Sequence, residues 1–361
     1  MFLENSIARE DMENIYCRNI DWNLLQNSRV LITGAYGMLA SYIAFFLIYL
    51  CEYKNMNIQI ILQGRNIEKA KKRFGELLNR TYIEYTAMDL NKEIMGEETI
   101  DYIIHAAGGA NPRLYSSNPV EVIEPNVIGT YNLLEYARKR GNKGFLIFSS
   151  GDVYGKVDQP ENISEETVGK VDQLDIHSCY SESKRMAETI AVSYFREYGI
   201  PIKILRIGHT YGPTMDIKND PRVFASFLKC VLEKRNIEML SDGLAQRPFC
   251  YLADAVAAYF TVLFKGDAGE AYNICNTGEF ISMRELANIV LTLEKRKKLK
   301  VVYLGREYED GYVENKENKD NNPSDKKLKR LGFEYHFTTE TGMERTYKFL
   351  KETSYEKSSL N

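Results

Sequence analysis

The sequence predicts an α/β protein with a doubly wound parallel sheet and a smaller C-terminal α/β lobe. Three observations lead there. Short β-branched runs alternate with amphipathic helical stretches from residue 28 onward. The strand-like runs are continuously apolar, as in strands covered on both faces. The first of them leads directly into a glycine turn that opens a helix.

Taken in order, residues 1–27 read as a polar helical lead-in. Residues 29–33 (Arg-Val-Leu-Ile-Thr) form the first strand, then come the turn and a long apolar helix. Residues 58–62 are the second strand, 67–78 a helix, 82–87 the third strand and 102–105 the fourth. Residues 119–139 form a long helix, 145–149 the fifth strand, 178–198 a further helix and 202–206 a sixth strand. Parallel strands joined through helices need right-handed crossovers, which place helices on both faces. Beyond Tyr211-Gly212-Pro213 the rhythm loosens. Helical segments at 224–234, 253–264 and 283–293 mix with short strands at 237–240 and 301–304. The predicted division is therefore 1–27 as an extension, 28–210 as the main sheet domain and 211–361 as the lobe, interleaved with it. Residues 314–327 (ENKENKDNNPSDKK) lack large apolar side chains and read as a solvated loop.

Composition excludes several classes. The chain has 361 residues, ample for a buried core. Its 47 Lys and Arg against 50 Asp and Glu leave a net charge of -3, so nucleic acid is not an expected partner. Six cysteines without a Cys-x-x-Cys pair and only four histidines give no metal-site spacing, and the thiols suit a reducing compartment. The amino terminus has no apolar signal segment. The most apolar helical run, 38–51, is shorter than the roughly 20 residues a bilayer requires. No membrane partner and a cytoplasmic location are the expectations.

The turn Gly34-Ala35-Tyr36-Gly37-Met38-Leu39-Ala40 has the spacing G-x-x-G-x-x-A. Glycines let backbone N–H groups approach a pyrophosphate, and the helix N-terminus favours its charge. With a strand before it and a helix after it, the turn predicts a Rossmann-like dinucleotide site. Gly34, Tyr36, Gly37, Met38 and Leu39 are its candidate contacts. Asp89 and Leu90 after the third strand, and Ala106, Ala107 and Gly108 after the fourth, lie at the carboxyl ends of strands where such sheets bind ligands. The second strand ends Leu62-Gln63-Gly64-Arg65, without the acid that binds the ribose of NAD. NAD remains the expected cofactor, and Arg65 makes NADP a possibility.

Tyr180 and Lys184 stand at i and i+4 near the start of a helix, on one face. A phenol with a pKa near 10 needs a neighbouring cation to act as a base at neutral pH. Ser149, Ser150 and Asp152 bring hydroxyls and a carboxylate to the end of the fifth strand. Tyr180 and Lys184 are the predicted catalytic pair, with Ser150 and Asp152 at the same edge of the sheet.

Several segments carry a resemblance. They are His105-Ala-Ala-Gly108, 110–120 (Ala-Asn-Pro-Arg-Leu-Tyr-Ser-Ser-Asn-Pro-Val), Asn126-Val-Ile-Gly-Thr130, Cys179-Tyr-Ser-Glu-Ser-Lys-Arg185, Tyr211-Gly-Pro-Thr-Met215, Asp220-Pro-Arg-Val223 and Arg247-Pro-Phe-Cys-Tyr251. In these the chain resembles the extended short-chain dehydrogenase/reductases that act on nucleotide sugars, most of all the UDP-glucuronate decarboxylases. The resemblance implies a dinucleotide-binding domain over 28–210 and a nucleotide-sugar lobe over 211–361. It implies Asn126 and Ser149 as further cofactor contacts, and Asn111, Arg113, Tyr115, His209, Arg222 and Arg247 as substrate contacts. The implied partner is a nucleotide-diphosphate sugar, with UDP favoured, and the implied assembly is a homodimer.

The implied reaction is decarboxylation of UDP-glucuronate to a UDP-pentose through a 4-keto sugar, with 4-epimerisation or 4,6-dehydration as alternatives and a non-catalytic dinucleotide-sensing protein on the same fold as a remote one. In it Tyr180 takes the 4-hydroxyl proton, Ser150 holds that hydroxyl and Asp152 handles the proton at C5. Four positions depart from the family pattern. Gly151 replaces the aspartate that 4,6-dehydratases use as acid, Asp152 replaces a glutamate, His209 stands where asparagine is common, and Gln63 replaces the ribose-binding acid.

Overall fold

The computed structural model describes residues 2–94, 96–110, 112–158, 160–294, 298–304 and 321–355. The amino-terminal segment is more than a polar lead-in. It forms α1 (Ser6–Tyr16), whose Ala8, Met12 and Ile15 are buried against later helices. The main domain then runs β1 (Ser28–Thr33), α2 (Met38–Lys54), β2 (Ile58–Gln63), α3 (Ile67–Phe74), β3 (Ile83–Thr86) and β4 (Tyr102–His105). It continues with α4 (Pro112–Ser117), α5 (Pro119–Arg140), β5 (Gly144–Ser150), α6 (Ser178–Tyr198) and β6 (Ile202–Ile207). The rest of the chain gives β7 (His209–Tyr211), α7 (Val223–Leu232), β8 (Ile237–Met239), β9 (Gln246–Tyr251), α8 (Leu252–Lys265) and β10 (Glu270–Ile274). Last come β11 (Phe280–Ser282), α9 (Met283–Thr292), β12 (Val301–Tyr303), α10 (Lys326–Arg330) and α11 (Thr339–Leu350).

Seven strands form one parallel sheet in the order β10-β6-β5-β4-β1-β2-β3. The order reverses at β1 and β4, so the loops after those strands part there and leave room for a ligand. β4, β5 and the end of β1 are buried throughout, which accounts for their unbroken apolar runs. β10 extends this sheet from far beyond residue 210, and the intervening α8, almost wholly buried, packs against it. Three short strands, β11-β9-β7, form a second sheet, and β12 pairs with β8.

The observed elements differ from the sequence reading in a few places. The helix over 67–78 stops at Phe74, because Gly75 takes a positive φ of 55° and the chain tightens into a 3-10 turn. Of the stretch read as a solvated loop, residues 314–320 lie outside the described residues. The remainder is held in place. Asn322 exchanges backbone hydrogen bonds with the 155–177 loop at Pro160 and Ile163, Pro323 bridges Ile163, and Asp325 is buried. Polar composition marked these residues as loop, whereas their partners come from residues about 160 positions earlier.

The two ends of the chain meet in a buried polar network. Asp11 accepts hydrogen bonds from Tyr42 Oη at 2.7 Å, Tyr251 Oη at 2.5 Å and Arg345 Nε at 2.7 Å. Arg18 pairs with Asp254 at 2.5 Å, and that carboxylate also receives the N–H groups of His336 and Phe337. Each buried charge thus has a partner of opposite sign, as burial requires.

Candidate active site

Gly34 follows β1 with φ at +63°, and a Cβ there would stand 2.9 Å from Ala107 Cα. Only glycine meets both conditions. The Gly34 N–H donates to Gln63 Oε1 at 3.0 Å, while Gln63 Nε2 donates to the Met88 carbonyl at 2.6 Å. Gln63, read from sequence only as a missing acid, therefore braces the turn. Gly37 caps α2 without a side-chain hydrogen bond, leaving N–H groups of the first turn for an anion.

Thr33 Oγ1 accepts the N–H groups of Ala106 and Ala107, each at 3.1 Å, so its own proton goes to His105 Nδ1 at 2.8 Å. His105 Nε2 then carries the ring proton and meets Thr130 Oγ1 at 3.1 Å, and Thr130 in turn donates to the Asn126 carbonyl at 2.5 Å. This chain fixes the Ala106–Gly108 backbone beside the glycine turn. Burial, with the Lys184 charge second, pushes the His105 pKa down to about 3 and keeps the ring neutral.

The cradle fits a dinucleotide. A Cβ at Gly108 would stand 2.6 Å from Asn126 Oδ1 and 3.1 Å from Lys184 Nζ. Asn126 Oδ1 is buried without a hydrogen-bond partner, and such an acceptor is costly unless a ligand supplies a donor. Other expected cofactor contacts fall differently. Ser149 spends its hydroxyl on Glu188 at 2.5 Å, and Leu90 packs its side chain toward Gly129 and gives its carbonyl to Asn132. Asp89 accepts the N–H of Asn91 at 3.1 Å, Arg65 is exposed, and Tyr36 lays its ring where a Gly64 Cβ would be. The Met38 carbonyl receives the Thr214 hydroxyl at 2.8 Å, and Leu39 is half-buried in the first turn of α2.

Tyr180 and Lys184 lie in the first two turns of α6, both buried, with Lys184 Nζ 5.8 Å from the Tyr180 ring centre. Lys184 Nζ donates to the Phe148 carbonyl of β5 at 2.6 Å. Burial lowers its pKa to about 8, against an opposing pull from Glu188. Tyr180 is hydrogen-bonded to Ser150, and Ser150 Oγ also accepts the Asp152 N–H at 3.2 Å. Burial, reinforced by the Asp152 charge, raises the Tyr180 phenol above its ordinary value. Asp152 is exposed, yet desolvation by the protein around it raises its carboxyl, against the pull of Ser150 and Arg247. At Gly151 a Cβ would meet nothing within 4 Å.

The expected substrate residues gather around this set. Tyr115 stacks on Tyr180 with ring centres 5.2 Å apart and an interplanar angle of 12°. Arg222, gripped by Asp220 at 2.5 Å, lies within electrostatic reach of Tyr180, Tyr115 and His209. Arg247 reaches His209 and Asp152. His209 begins β7 beside Phe249 with its side chain exposed, and desolvation by the surrounding protein, with Arg247 and Arg222, presses its pKa down to about 3. Arg113 is exposed on α4, and Asn111 lies outside the described residues. Sequence reasoning missed Gln63, Glu188, Arg206 and Asp220. Of these, Glu188 had a signal, standing four residues after Lys184 on the same helix.

A doubly wound sheet with a glycine turn at its order reversal and a tyrosine–lysine pair at its carboxyl edge defines an extended short-chain dehydrogenase/reductase. Residues 30–275 match the NAD dependent epimerase/dehydratase family, and the chain belongs to it. UDP-glucuronic acid decarboxylase 6 of Arabidopsis thaliana is 35% identical over 270 residues, 74% of this chain and 75% of its own. The UDP-glucose 4-epimerase of Thermotoga maritima, solved with UDP-glucose, superposes with a TM-score of 0.73 at 24% identity, over 90% of this chain and 99% of its own. The UDP-glucuronic acid 4-epimerase of Bacillus cereus, solved in complex with NAD, gives 0.71 at 20% identity, over 90% and 96%. These two structures establish the shared fold. Among the described residues no helix is long and apolar enough to cross a membrane.

Proposed function

We propose that this protein decarboxylates UDP-glucuronate to a UDP-pentose through transient oxidation at C4 of the sugar. The observation that carries the reading is the group formed by Tyr180, Ser150 and Asp152, with Lys184 one turn away. Identity to the Arabidopsis decarboxylase supports it. Gly34, Gly37, Gly108 and Asn126 would hold the dinucleotide, which when bound supplies a hydride acceptor and a positive charge beside the phenol. Tyr180 takes the proton of the 4-hydroxyl, and Ser150 orients that hydroxyl through its bond to the phenol. Lys184 stabilises the phenolate that Tyr180 needs. A carboxyl group β to the resulting ketone departs as carbon dioxide. Asp152, whose carboxyl holds its proton more tightly than usual, can return a proton to C5, and Tyr180 gives its proton back to the C4 oxygen as C4 regains its hydride, which yields the UDP-pentose. Arg222, Arg247 and His209 gather fork-shaped and ring donors suited to a diphosphate.

We assign NAD as the cofactor. Structures of the same fold solved with NAD support this, whereas the neutral Gln63 and the exposed Arg65 leave a 2′-phosphate unopposed, so titration with NAD and NADP ranks the two. We also propose a homodimer. α5 and α6 pack together and leave Ile128, Tyr131, Met186 and Tyr198 exposed, an apolar surface suited to a partner helix pair. A reducing cytoplasmic setting suits six free cysteines, four of them buried. The test is incubation of the purified protein with UDP-glucuronate and NAD. Carbon dioxide and a UDP-pentose are expected, and Tyr180→Phe should reduce the rate by roughly 100-fold or more. A product of unchanged mass would assign 4-epimerisation instead, and no turnover would overturn the reading.

A further inference from the structure

Glu188 stands one turn beyond Lys184 on α6, and its side chain is 12% exposed. Its carboxylate accepts Ser149 Oγ at 2.5 Å, Arg206 Nε at 3.0 Å and Arg206 Nη2 at 2.7 Å. The same guanidinium donates to Tyr154 Oη at 3.1 Å and to the Glu165 carbonyl at 2.7 Å. One carboxylate thereby joins the catalytic helix to the end of β5, to β6 and, through Arg206, to the loop before α6. A forked ion pair of this kind could serve packing alone. What distinguishes Glu188 is its second neighbour. Lys184 is buried with its ammonium on a backbone carbonyl, and Glu188 stands at i+4 from it on the same face of α6, more than an ion-pair distance away but near enough for its charge to favour the ammonium. Burial favours a neutral amine, whereas a nearby anion favours the ammonium.

We propose that Glu188 is a positioning residue for the reaction. It holds Lys184 in the charged form that supports the Tyr180 phenolate, and through Ser149 it fixes the strand end that presents Ser150. The inference rests on the role given to Lys184 under the proposed function. Arg206 supplies the counter-charge that makes the arrangement tolerable in a dry setting. Glu188 itself touches neither sugar nor cofactor in this scheme, and no bond to it forms or breaks.

The test follows the Lys184 Cε resonance through a pH titration of the full chain, assigned by its loss in Lys184→Arg. Glu188→Gln should lower the Lys184 midpoint by roughly one pH unit, a tenfold change in its protonation ratio. It should also lower kcat about tenfold with KM unchanged, the pattern of an interaction that acts in the transition state. Glu188→Asp should recover part of both. Because Glu188→Gln strands a buried guanidinium and can fail to fold, Glu188→Gln/Arg206→Gln is compared with Arg206→Gln alone, so that the opposing effect of the lost guanidinium cancels and the double variant is expected to have the lower Lys184 midpoint of the two. An unchanged midpoint in folded Glu188→Gln, or equal midpoints in the double variant and Arg206→Gln, would overturn the inference. Lack of wild-type turnover would count against the proposed function alone, since the Lys184 titration is read without substrate.

Discussion

At the residue scale, His105 shows how a side chain outside the reaction can carry a measurable load. It is 2% exposed, spends both nitrogens on Thr33 and Thr130, and has its pKa pushed down to about 3. In the unfolded chain the imidazole takes up a proton near pH 6.5. Between these values the unfolded state binds a proton that the native state does not, so stability is present above about 6.5 and lost as pH falls toward 3. Urea unfolding at pH 7 and pH 4.5 should show a clear drop, and His105→Gln should make that drop smaller even though the variant is weaker at pH 7. An unchanged slope would remove His105 from the acid response. Tyr180, Asp152 and Lys184 follow the same physics. Desolvation by the surrounding protein disfavours the charged form of each, even at the exposed Asp152, and their neighbours then decide how far.

At the scale of elements, the glycine turn between β1 and α2 is set by two approaches that no side chain tolerates. Gly34 combines a left-handed φ with a backbone neighbour, Ala107, that cannot move aside without breaking the bonds from Thr33. Gly34→Ala should therefore weaken dinucleotide binding about tenfold or more, about 1.4 kcal/mol, with a lower Tm as well. Gly151→Ala is the matching control, because nothing lies within 4 Å of the added methyl group. Calorimetric titration of the two variants with NAD should separate them clearly. Equal affinities would show that the turn does not set the cradle. The contrast cannot be read from glycine counts, since both residues follow strands of the same sheet.

At the scale of the whole molecule, the paired helices α5 and α6 leave several large apolar side chains in contact with water. Tyr131 is 49% exposed and Met186 49% exposed, on two helices that already pack side by side. Placing a charge at these positions penalises burial on association but costs little in a monomer. Tyr131→Glu/Met186→Glu is expected to convert a sedimenting dimer into a folded monomer. A wild-type chain that sediments as a monomer would overturn the dimer. The buried Asp11 and Arg18 networks act at the same scale. They tie α1 to α2, α8 and α11, so the amino-terminal extension belongs to the core.

The sequence by itself determined the alternation of strands and helices, the glycine turn and the Tyr180–Lys184 spacing. Each depends on neighbours within a few residues, where periodicity and turn chemistry act directly. Only the tertiary structure decided that β10 completes the main sheet, that Gln63 braces Gly34, and that Ser149 serves Glu188. Only it placed residues 321–325 against the loop before α6 and brought Arg222, Arg247 and His209 together around Tyr180 and Asp152. Those pairings join residues tens to hundreds of positions apart, and their partners are chosen by packing and by the demand that buried polar groups be matched. Local pattern carries no record of either.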